Sequence, residues 1–246
     1  MIFSAACQQI IGQGEAMMET HLEKELQELK ENLLKMAALV EEAIRDAVQS
    51  LAKRDSDLAQ KTFGFEDRIN KLEIAIDDMC LKLLALRQPM AADLRFITSA
   101  MKITTDLERM GDQAVNIAER AISLNQEPQL KRYIDIPKMA EIAQSMVKDV
   151  LDAFVNHDSK LARSVCERDD LVDGLNDQVV RELLTYMMSE PKTITRAVHL
   201  MIVCRCLERI ADHATNIAED VIFMLDALVI KHHADAKEMG EARGAS

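Results

Sequence analysis

Apolar residues recur at intervals of three and four positions through most of the chain, which is the spacing of one face of an α-helix. Short interruptions that contain Asp, Asn, Ser or Pro separate these periodic stretches. The pattern predicts six helices, over residues 19–53, 56–87, 91–125, 138–157, 159–188 and 192–229. We expect residues 1–18 to form a disordered N-terminal extension and the polar residues 230–246 to form a frayed C-terminal tail.

The third and sixth predicted helices contain the same sequence in two copies. Residues 106–122 read DLERMGDQAVNIAERAI and residues 206–222 read CLERIADHATNIAEDVI, so ten of the seventeen positions are identical at an offset of 100 residues. In the helix before each copy, residues 66–72 (EDRINKL) loosely match residues 169–175 (DDLVDGL). The two halves of the chain therefore repeat one unit of three helices.

The stretch between the two repeats contains Pro128 and Pro137 and is the best boundary between domains. The sequence therefore predicts an all-α fold of two tandem, internally repeated three-helix bundles, residues 19–127 and 136–229. The composition agrees, because seven Gly and four Pro allow only a few short loops. Aromatic residues, which favour strands, make up 3% of the chain.

Charge and cysteine content narrow the class of protein. The chain has 30 Lys and Arg against 42 Asp and Glu, a net charge of −12, which argues against binding to nucleic acid. No segment approaches roughly 18 consecutive apolar residues, so the sequence predicts no transmembrane helix. Five cysteines, an odd number, lie mostly within apolar helical patterns and indicate reduced, buried thiols in a cytosolic protein.

A helical wheel at ~100° per residue separates two faces of the third predicted helix. One arc of roughly 80° is apolar and predicts the core-facing stripe: Ile103, Leu107, Met110, Ala114, Ile117 and Ala121. The opposite arc contains Glu108, Asp112, Asn116 and Glu119, which the sixth helix repeats as Glu208, Asp212, Asn216 and Glu219. We therefore expect each of these helices to carry an outward stripe of carboxylates about one turn apart.

The preceding helix of each half brings further polar residues to the same height in the bundle. At ~1.5 Å per residue from the intervening turn, three residues of the second helix lie level with the acidic pair of the third: Glu66, Asn70 and Glu73. Asp169 and Asp173 take the matching positions in the second half. Two helices of each bundle could therefore supply one acidic surface cluster.

The residues alone leave two interpretations of these clusters open. Carboxylates at positions i and i+4 repel each other, and a hard divalent cation that bridges their oxygens would turn this repulsion into affinity. In so acidic a chain, however, most such pairs form a solvated helix face, and the residues alone favour that interpretation. Recurrence of the whole string, including its Asn, supports the cation site.

The sequence contains no motif that indicates an enzyme. A glycine-rich phosphate loop, Cys-x-x-Cys, His-Glu-x-x-His and a nucleophile-elbow serine are all missing, and no Glu-x-x-His of the di-iron type occurs. Acidic residues without a base, a nucleophile or a pocket do not make a catalytic mechanism. A non-enzymatic regulator is therefore expected. The alternative is a metal-binding helical bundle that stores metal or acts as a metal-dependent hydrolase.

Three segments together resemble the PhoU family of phosphate-uptake regulators: LERMGDQAVNIA at 107–118, LERIADHATNIA at 207–218 and RQPMAADLR at 87–95. The resemblance covers nearly all of residues 19–229. It implies a cytoplasmic negative regulator of the phosphate-starvation response, which links a high-affinity phosphate ABC transporter to a sensor histidine kinase. The implied partners are the transporter's ATPase subunit and the kinase, and through them the membrane surface. A homodimer is also expected.

The resemblance implies metal ions as well, either divalent ions or iron, because members of the family carry them on Glu/Asp-x-x-x-Asp motifs, often in clusters. Carried over by position, the metal-binding residues are Glu66, Glu108, Asp112, Asp169, Asp173, Glu208 and Asp212, with Asn116 and Asn216 beside them. The first bundle departs from the motif at Asn70, which has no carboxylate, so a weaker site is expected there. Ala211 replaces the Gly expected before Asp212.

Overall fold

The computed structural model describes the backbone of residues 3–227 and the side chains of residues 21–227. Its helices are α1 (Phe3–Lys53), α2 (Ser56–Arg87), α3 (Ala91–Asn125), α4 (Asp135–Asn156), α5 (Ser159–Cys166), α6 (Asp169–Ser189) and α7 (Ile194–Asp226), with a 3-10 turn at Pro191–Thr193. The predicted tail at 230–246 lies outside this range. Helix α1 begins at Phe3 and not at the predicted residue 19, and the disordered extension expected at 1–18 stays a prediction.

The first turn of each bundle is built in the same way. Asp55 caps α2, and its Oδ1 accepts hydrogen bonds from two backbone N–H groups of the first turn at 3.0 and 3.1 Å. Asp158 caps α5 with two bonds of 3.0 Å. The preceding residues, Arg54 and His157, are left-handed, with φ of 58° and 53°. Such a residue ends one helix and an Asp cap begins the next, so the turn stays short.

The predicted fifth helix, over 159–188, is interrupted at Glu167 and Arg168. Both residues keep right-handed helical dihedrals, with φ and ψ of −69° and −15° and of −92° and −11°. The backbone therefore stays right-handed through the break, and α5 and α6 together correspond to the single predicted fifth helix. The guanidinium of Arg168 lies 2.7 Å from the carboxylate of Asp149 in α4 and anchors the break to that helix.

Helix α4 begins one turn earlier than the sequence predicted. It starts at Asp135, so that Pro137 lies inside its first turn. A proline is tolerated there because the first backbone N–H groups of a helix have no acceptor within the helix, and the fixed φ of the ring suits the helical conformation.

The buried apolar residues of the two bundles form one hydrophobic core. In the first bundle α1, α2 and α3 pack against one another, and in the second α7 packs against α4, α5 and α6. The apolar stripe predicted for α3 is confirmed, because its members are all buried: Ile103, Leu107, Met110, Ala114, Ile117 and Ala121. The all-α fold of two three-helix bundles is therefore confirmed.

The two bundles meet where α3 packs against α7. Lys102 Nζ lies 2.7 Å from Asp220 Oδ1, and Asp106 Oδ1 lies 2.8 Å from His213 Nδ1. Residues early in α3 thus face residues late in α7, so the two helices run antiparallel. This interface leaves only 14% of the His213 side chain exposed.

The three most buried cysteines of the described side chains, Cys80, Cys204 and Cys206, are free thiols. Burial raises the pKa of the Cys204 thiol to about 12, which keeps it protonated and unreactive at neutral pH. Cys166 is half-buried and also free, while Cys7 lies outside the described side chains. Within the described residues, no helix has the length and apolar character needed to cross a membrane.

Candidate metal centres

Acidic cluster one lies where α2 packs against α3. It consists of Glu66, Asn70 and Glu73 from α2 and Glu108 and Asp112 from α3, all half-buried. On each helix these residues are three or four positions apart, so they share a face. The packing of the two helices then brings both polar faces to one place.

The carboxylates of cluster one perturb one another. Burial raises the pKa of Glu108 above its ordinary value of 4.5, and the carboxylates of Asp112 and Glu73 raise it further. Glu66 raises the pKa of Glu108 to a smaller extent. Burial also raises the pKa of Glu73, with added repulsion from Asp77 and Asp112. The two helices therefore share one negative field that a bound cation would neutralise.

Acidic cluster two lies at the equivalent contact of the second bundle. It consists of Asp169, Asp173 and Asn176 from α6 and Glu208 and Asp212 from α7. Glu208 is the most buried member, with 9% of its surface exposed, and Asp173 is the most exposed. The same helix–helix contact thus produces the same kind of site twice.

Each cluster has one equivalent arginine nearby, Arg109 or Arg209, and cluster two differs in having a second one, Arg205. Burial raises the pKa of Glu208, the guanidinium of Arg205 lowers it, and Asp212 and Asp173 raise it. Burial raises the pKa of Asp173 too, Asp212 and Asp170 add to this, and Arg205 again acts in the opposite direction. Residues of both helices therefore experience the charge of Arg205.

The two clusters hold the same number of carboxylates, arranged differently. In the matching helices, Asn70 of cluster one corresponds to Asp173, and Glu73 corresponds to Asn176. Each cluster therefore has four carboxylates and one amide. The weaker site expected from Asn70 thus has no deficit of negative charge, because Glu73 supplies the missing carboxylate one turn further along α2. In the sequence, the spacing of three residues between Asn70 and Glu73 already indicated that Glu73 lies on the same face of α2.

The stripes predicted to face outward are partly buried in both bundles. Desolvation is the first cause of the raised pKa of Glu108, of Asp112 and of Glu208, which a fully solvated face would not produce. The prediction of an outward stripe holds for Glu119 and Asn216, which are exposed. It was wrong for Glu108, Asp112 and Glu208, because a helical wheel identifies the face opposite the core without showing that a second helix covers its edge.

Asn116 and Asn216 lie one turn beyond the carboxylates of their helices, and the two side chains differ in their surroundings. Residues four apart on an α-helix are rotated by about 40°, so the stripe turns away from α2 or α6 along the helix. The amide of Asn216 donates to Asp106 Oδ1 across the interface of the bundles, at 3.4 Å. Asn116 is half-buried at the equivalent position of α3. Their assignment as metal ligands stays a prediction.

A close approach of the helices positions each cluster. A Cβ atom at Gly111 of α3 would lie 2.9 Å from Cδ1 of the buried Ile69 in α2. At the equivalent place of the second bundle, the buried Ala211 occurs with the smaller Val172. The smaller residue Gly111 thus occurs with the larger Ile69, and the larger Ala211 occurs with the smaller Val172. This compensation in size allows the two helices to pack together beside the acidic residues in both bundles.

The donor set of both clusters is chemically uniform. Carboxylate and amide oxygens are the ligands that Mg²⁺, Mn²⁺ and Ca²⁺ prefer, and they also suit iron. Among residues 21–227, no three His, Cys, Asp or Glu side chains converge as a ready-made metal-binding set. Cation binding would therefore require the carboxylates of facing helices to turn toward each other.

Comparison with known proteins gives these clusters a family context. The family model of the PhoU domain matches twice, at residues 33–121 and 136–221. A protein of Aquifex aeolicus, named phosphate-specific transport system accessory protein PhoU homolog, is 49% identical over 218 residues, which is 89% of this chain and 98% of that protein. The homolog of the same name from Pseudomonas aeruginosa is 44% identical, over 85% of this chain and 86% of its own length.

Solved structures agree with the sequence comparison. The crystal structure of PhoU from Pseudomonas aeruginosa matches with a TM-score of 0.82 at 43% identity, over 84% of this chain and 99% of that one. The phosphate transport system regulatory protein PhoU from Streptococcus pneumoniae matches with a TM-score of 0.79 at 29% identity, over 86% and 100%.

The fold and its doubled acidic motif define a class of tandem three-helix-bundle proteins with one polar cluster in each bundle. Within that class, the chain belongs to the PhoU family.

Proposed function

We propose that this chain is a cytoplasmic accessory regulator of phosphate transport that represses the phosphate-starvation response when phosphate is plentiful. The observation that supports it most strongly is the doubled PhoU domain at residues 33–121 and 136–221, since relatives that match over most of their length are named accessory proteins of phosphate-specific transport. In this role it couples a phosphate ABC transporter to a sensor histidine kinase. The role requires binding and no catalysis.

We also propose that each acidic cluster holds a hard cation. Glu66, Glu73, Glu108 and Asp112 would hold it in cluster one, and the equivalent carboxylates would hold it in cluster two. The raised pKa values of Glu108 and Glu73 support this, because Asp112 contributes to both of them, and a cation bound among these carboxylates would remove the cost of their repulsion. The bound ion would also tie α2 to α3, and α6 to α7.

The proposed protein partners have a candidate binding surface at the ends of the bundles. Large apolar side chains are exposed around the α2–α3 turn, where Met90 is 79% exposed and Leu86 is 71% exposed. Around the α6–α7 turn Met188 and Ile194 are exposed in the same way. Grouped apolar residues in water are typical of protein contacts. The transporter's ATPase subunit, the kinase and a second copy of this chain are the proposed partners.

A deletion strain tests the regulatory role. Without the gene, alkaline phosphatase expression in phosphate-replete medium should rise to the level seen in starvation, and the wild-type chain should restore repression. The variant Glu108→Ala/Glu208→Ala tests the clusters in the same strain. It should fail to repress although it accumulates normally, whereas Glu119→Ala, an exposed control on α3, should repress fully.

Unchanged phosphatase expression in the deletion strain would contradict the regulatory role. Normal repression by Glu108→Ala/Glu208→Ala would instead separate the two proposals, since it would leave the regulator in place and show that the acidic clusters serve solubility.

A further inference from the structure

Arg205 lies at the rim of acidic cluster two and is paired with its most buried carboxylate. Its Nη1 forms an ion pair with Glu208 Oε1, three positions further along α7. The side chain of Arg205 is 56% exposed, while that of Glu208 is 11% exposed. The guanidinium thus approaches the cluster from the solvent side, where a cation from solution would enter.

The influence of Arg205 extends to the other helix of the cluster. It lowers the pKa of Asp173 on α6, against the elevation caused by burial and by Asp212. The contact that the guanidinium makes is the ion pair with Glu208 of α7, and its charge is also felt at Asp173 of α6.

Arg205 pairs with only one of the two carboxylate oxygens of Glu208. Its second oxygen, Oε2, is buried and accepts no hydrogen bond from the described residues. A buried carboxylate oxygen without a donor is costly, and a cation coordinated by it would remove that cost. Arg205 therefore neutralises part of the site and leaves one buried oxygen of Glu208 without a hydrogen-bond donor among the described residues.

The first bundle has no counterpart of this arginine. At the offset of 100 residues Arg205 corresponds to Thr105, whose hydroxyl donates to Met101 O at 3.1 Å within its own helix. The other nearby cation is common to both bundles, since Arg109 corresponds to Arg209. With four carboxylates in each cluster, Arg205 is the main difference in charge between them.

We propose that Arg205 is a built-in cation that competes with metal for cluster two, so that a metal ion must displace its guanidinium from Glu208 before it can bind. The inference rests on the proposed function of both clusters as cation sites. It makes the two sites unequal: cluster one binds a divalent ion directly, and cluster two binds it only after the ion pair has opened. The order is the reverse of the one expected from Asn70.

The competition can be measured on one cluster at a time. Glu108→Ala/Asp112→Ala disables cluster one, and in this background Mn²⁺ is titrated into chelator-treated protein by calorimetry, with and without Arg205→Thr. We expect Arg205→Thr to raise the affinity of cluster two by at least about tenfold, because an opposing unit charge is removed. Arg209→Thr, which removes the same charge from the next turn, should change the affinity far less.

The reciprocal substitution tests the same idea in the first bundle. Glu208→Ala/Asp212→Ala disables cluster two, and Thr105→Arg is then expected to weaken Mn²⁺ binding at cluster one by about tenfold. Thr105→Gln, which is long but uncharged, is the control for the added bulk and should leave the affinity within about threefold of the parent.

Thermal unfolding gives a readout that does not depend on the calorimetry. In excess chelator, Arg205→Thr should lower the Tm more than Arg209→Thr does, because it leaves Glu208 buried without its partner. Saturating Mn²⁺ should then raise the Tm of Arg205→Thr by more than it raises that of the parent.

Two results would overturn the inference. If Arg205→Thr binds Mn²⁺ no more tightly than Arg209→Thr, or more weakly than the parent, then Arg205 does not compete with metal. Such a result with cluster one still binding Mn²⁺ would leave the proposed cation sites intact. If neither cluster binds Mn²⁺ in any variant, then both the inference and the metal-binding function fail.

Discussion

At the scale of single residues, Ile69 of α2 packs closely against Gly111 of α3. A Cβ atom at Gly111 would lie 2.9 Å from Ile69 Cδ1, which is too close unless that methyl group moves. The second bundle contains Ala211 and Val172 at these positions. Residue size on one helix is therefore matched to residue size on the other, and the two positions should be energetically coupled.

A double-mutant cycle tests this coupling. Ile69→Val alone should lower the free energy of unfolding by about 1 kcal/mol, since it removes a buried methylene. In the Gly111→Ala background the same change should cost nothing or stabilise the protein, because it makes room for the new Cβ. Urea unfolding of the four proteins measures both values. Equal costs of Ile69→Val in the two backgrounds would show that the two positions are not coupled.

The carboxylate of Glu108 predicts a pH dependence whose sign follows from its raised pKa. Its folded-state pKa lies above the ordinary value of 4.5, so its contribution to stability is present below that value and is lost as the pH rises through the folded-state pKa. In chelator at neutral pH, Glu108→Gln should therefore raise the free energy of unfolding by about 0.5 kcal/mol, a small gain because solvent screens the charge.

The gain from Glu108→Gln should disappear as the pH falls below about 4, where the carboxyl is neutral in both states. Unfolding in urea across this range measures it, with Glu119→Gln on the exposed face of α3 as the control that changes little. A destabilised Glu108→Gln at neutral pH would show that the ionised carboxylate has a favourable partner, which contradicts the cluster described above.

At the scale of helices, the two left-handed turn residues Arg54 and His157 are equivalent in the repeat but differ in their contacts. Arg54 Nη2 donates to the carbonyl oxygens of Asn125 and Glu127 at 2.7 and 2.6 Å, which fixes the end of α3. His157 is exposed and occupies the same backbone conformation with φ of 53°. Arg54 and His157 therefore share the left-handed backbone conformation but not the side-chain contacts.

Glycine substitution at these two turns should have opposite effects. His157→Gly should raise the free energy of unfolding by about 0.5–1 kcal/mol, since glycine adopts the left-handed conformation without steric cost. Arg54→Gly should lower the free energy of unfolding, because it gains the same relief but loses two hydrogen bonds from a charged group, at about 1.5–3 kcal/mol each. Thermal unfolding of both variants checks this. The same sign of change in both would exclude the role given to Arg54.

Much of this helical architecture could be predicted from the sequence, because apolar spacing, Asp caps and the doubled LER-x-x-D string are local signals. The bounds of α2 and α3 follow from them directly. The break at Glu167 could not be predicted, since no Pro or Gly marks it in the sequence and the ion pair of Arg168 beside it is with Asp149 of a different helix. The burial of Glu208 and its pairing with Arg205 likewise depend on how α6 covers α7.

At the scale of the whole molecule, the interface of α3 and α7 makes the two bundles one unit. Asp106 is buried there and contacts His213 at 2.8 Å and the amide of Asn216 at 3.4 Å. The interface also fixes the position of each acidic cluster relative to the other, because α3 and α7 each carry half of one.

Removal of this contact should weaken the whole molecule rather than one bundle. Asp106→Ala should lower the free energy of unfolding by about 2 kcal/mol, since it leaves the ring of His213 without its partner. A cycle with His213→Ala should show coupling of at least about 0.5 kcal/mol. Urea unfolding followed by circular dichroism measures both. Additive effects of the two substitutions would show that the pair does not join the bundles.

The most direct test of the central claim, that both acidic clusters are cation sites, is metal analysis of protein purified without a chelator or an affinity tag. We expect stoichiometric iron, manganese, magnesium or calcium in the wild-type chain, lost in Glu108→Ala/Glu208→Ala and retained in Glu119→Ala. Absence of metal from the wild-type chain, also after incubation with Mn²⁺, would contradict the account and would leave the acidic clusters as solubility or recognition surfaces.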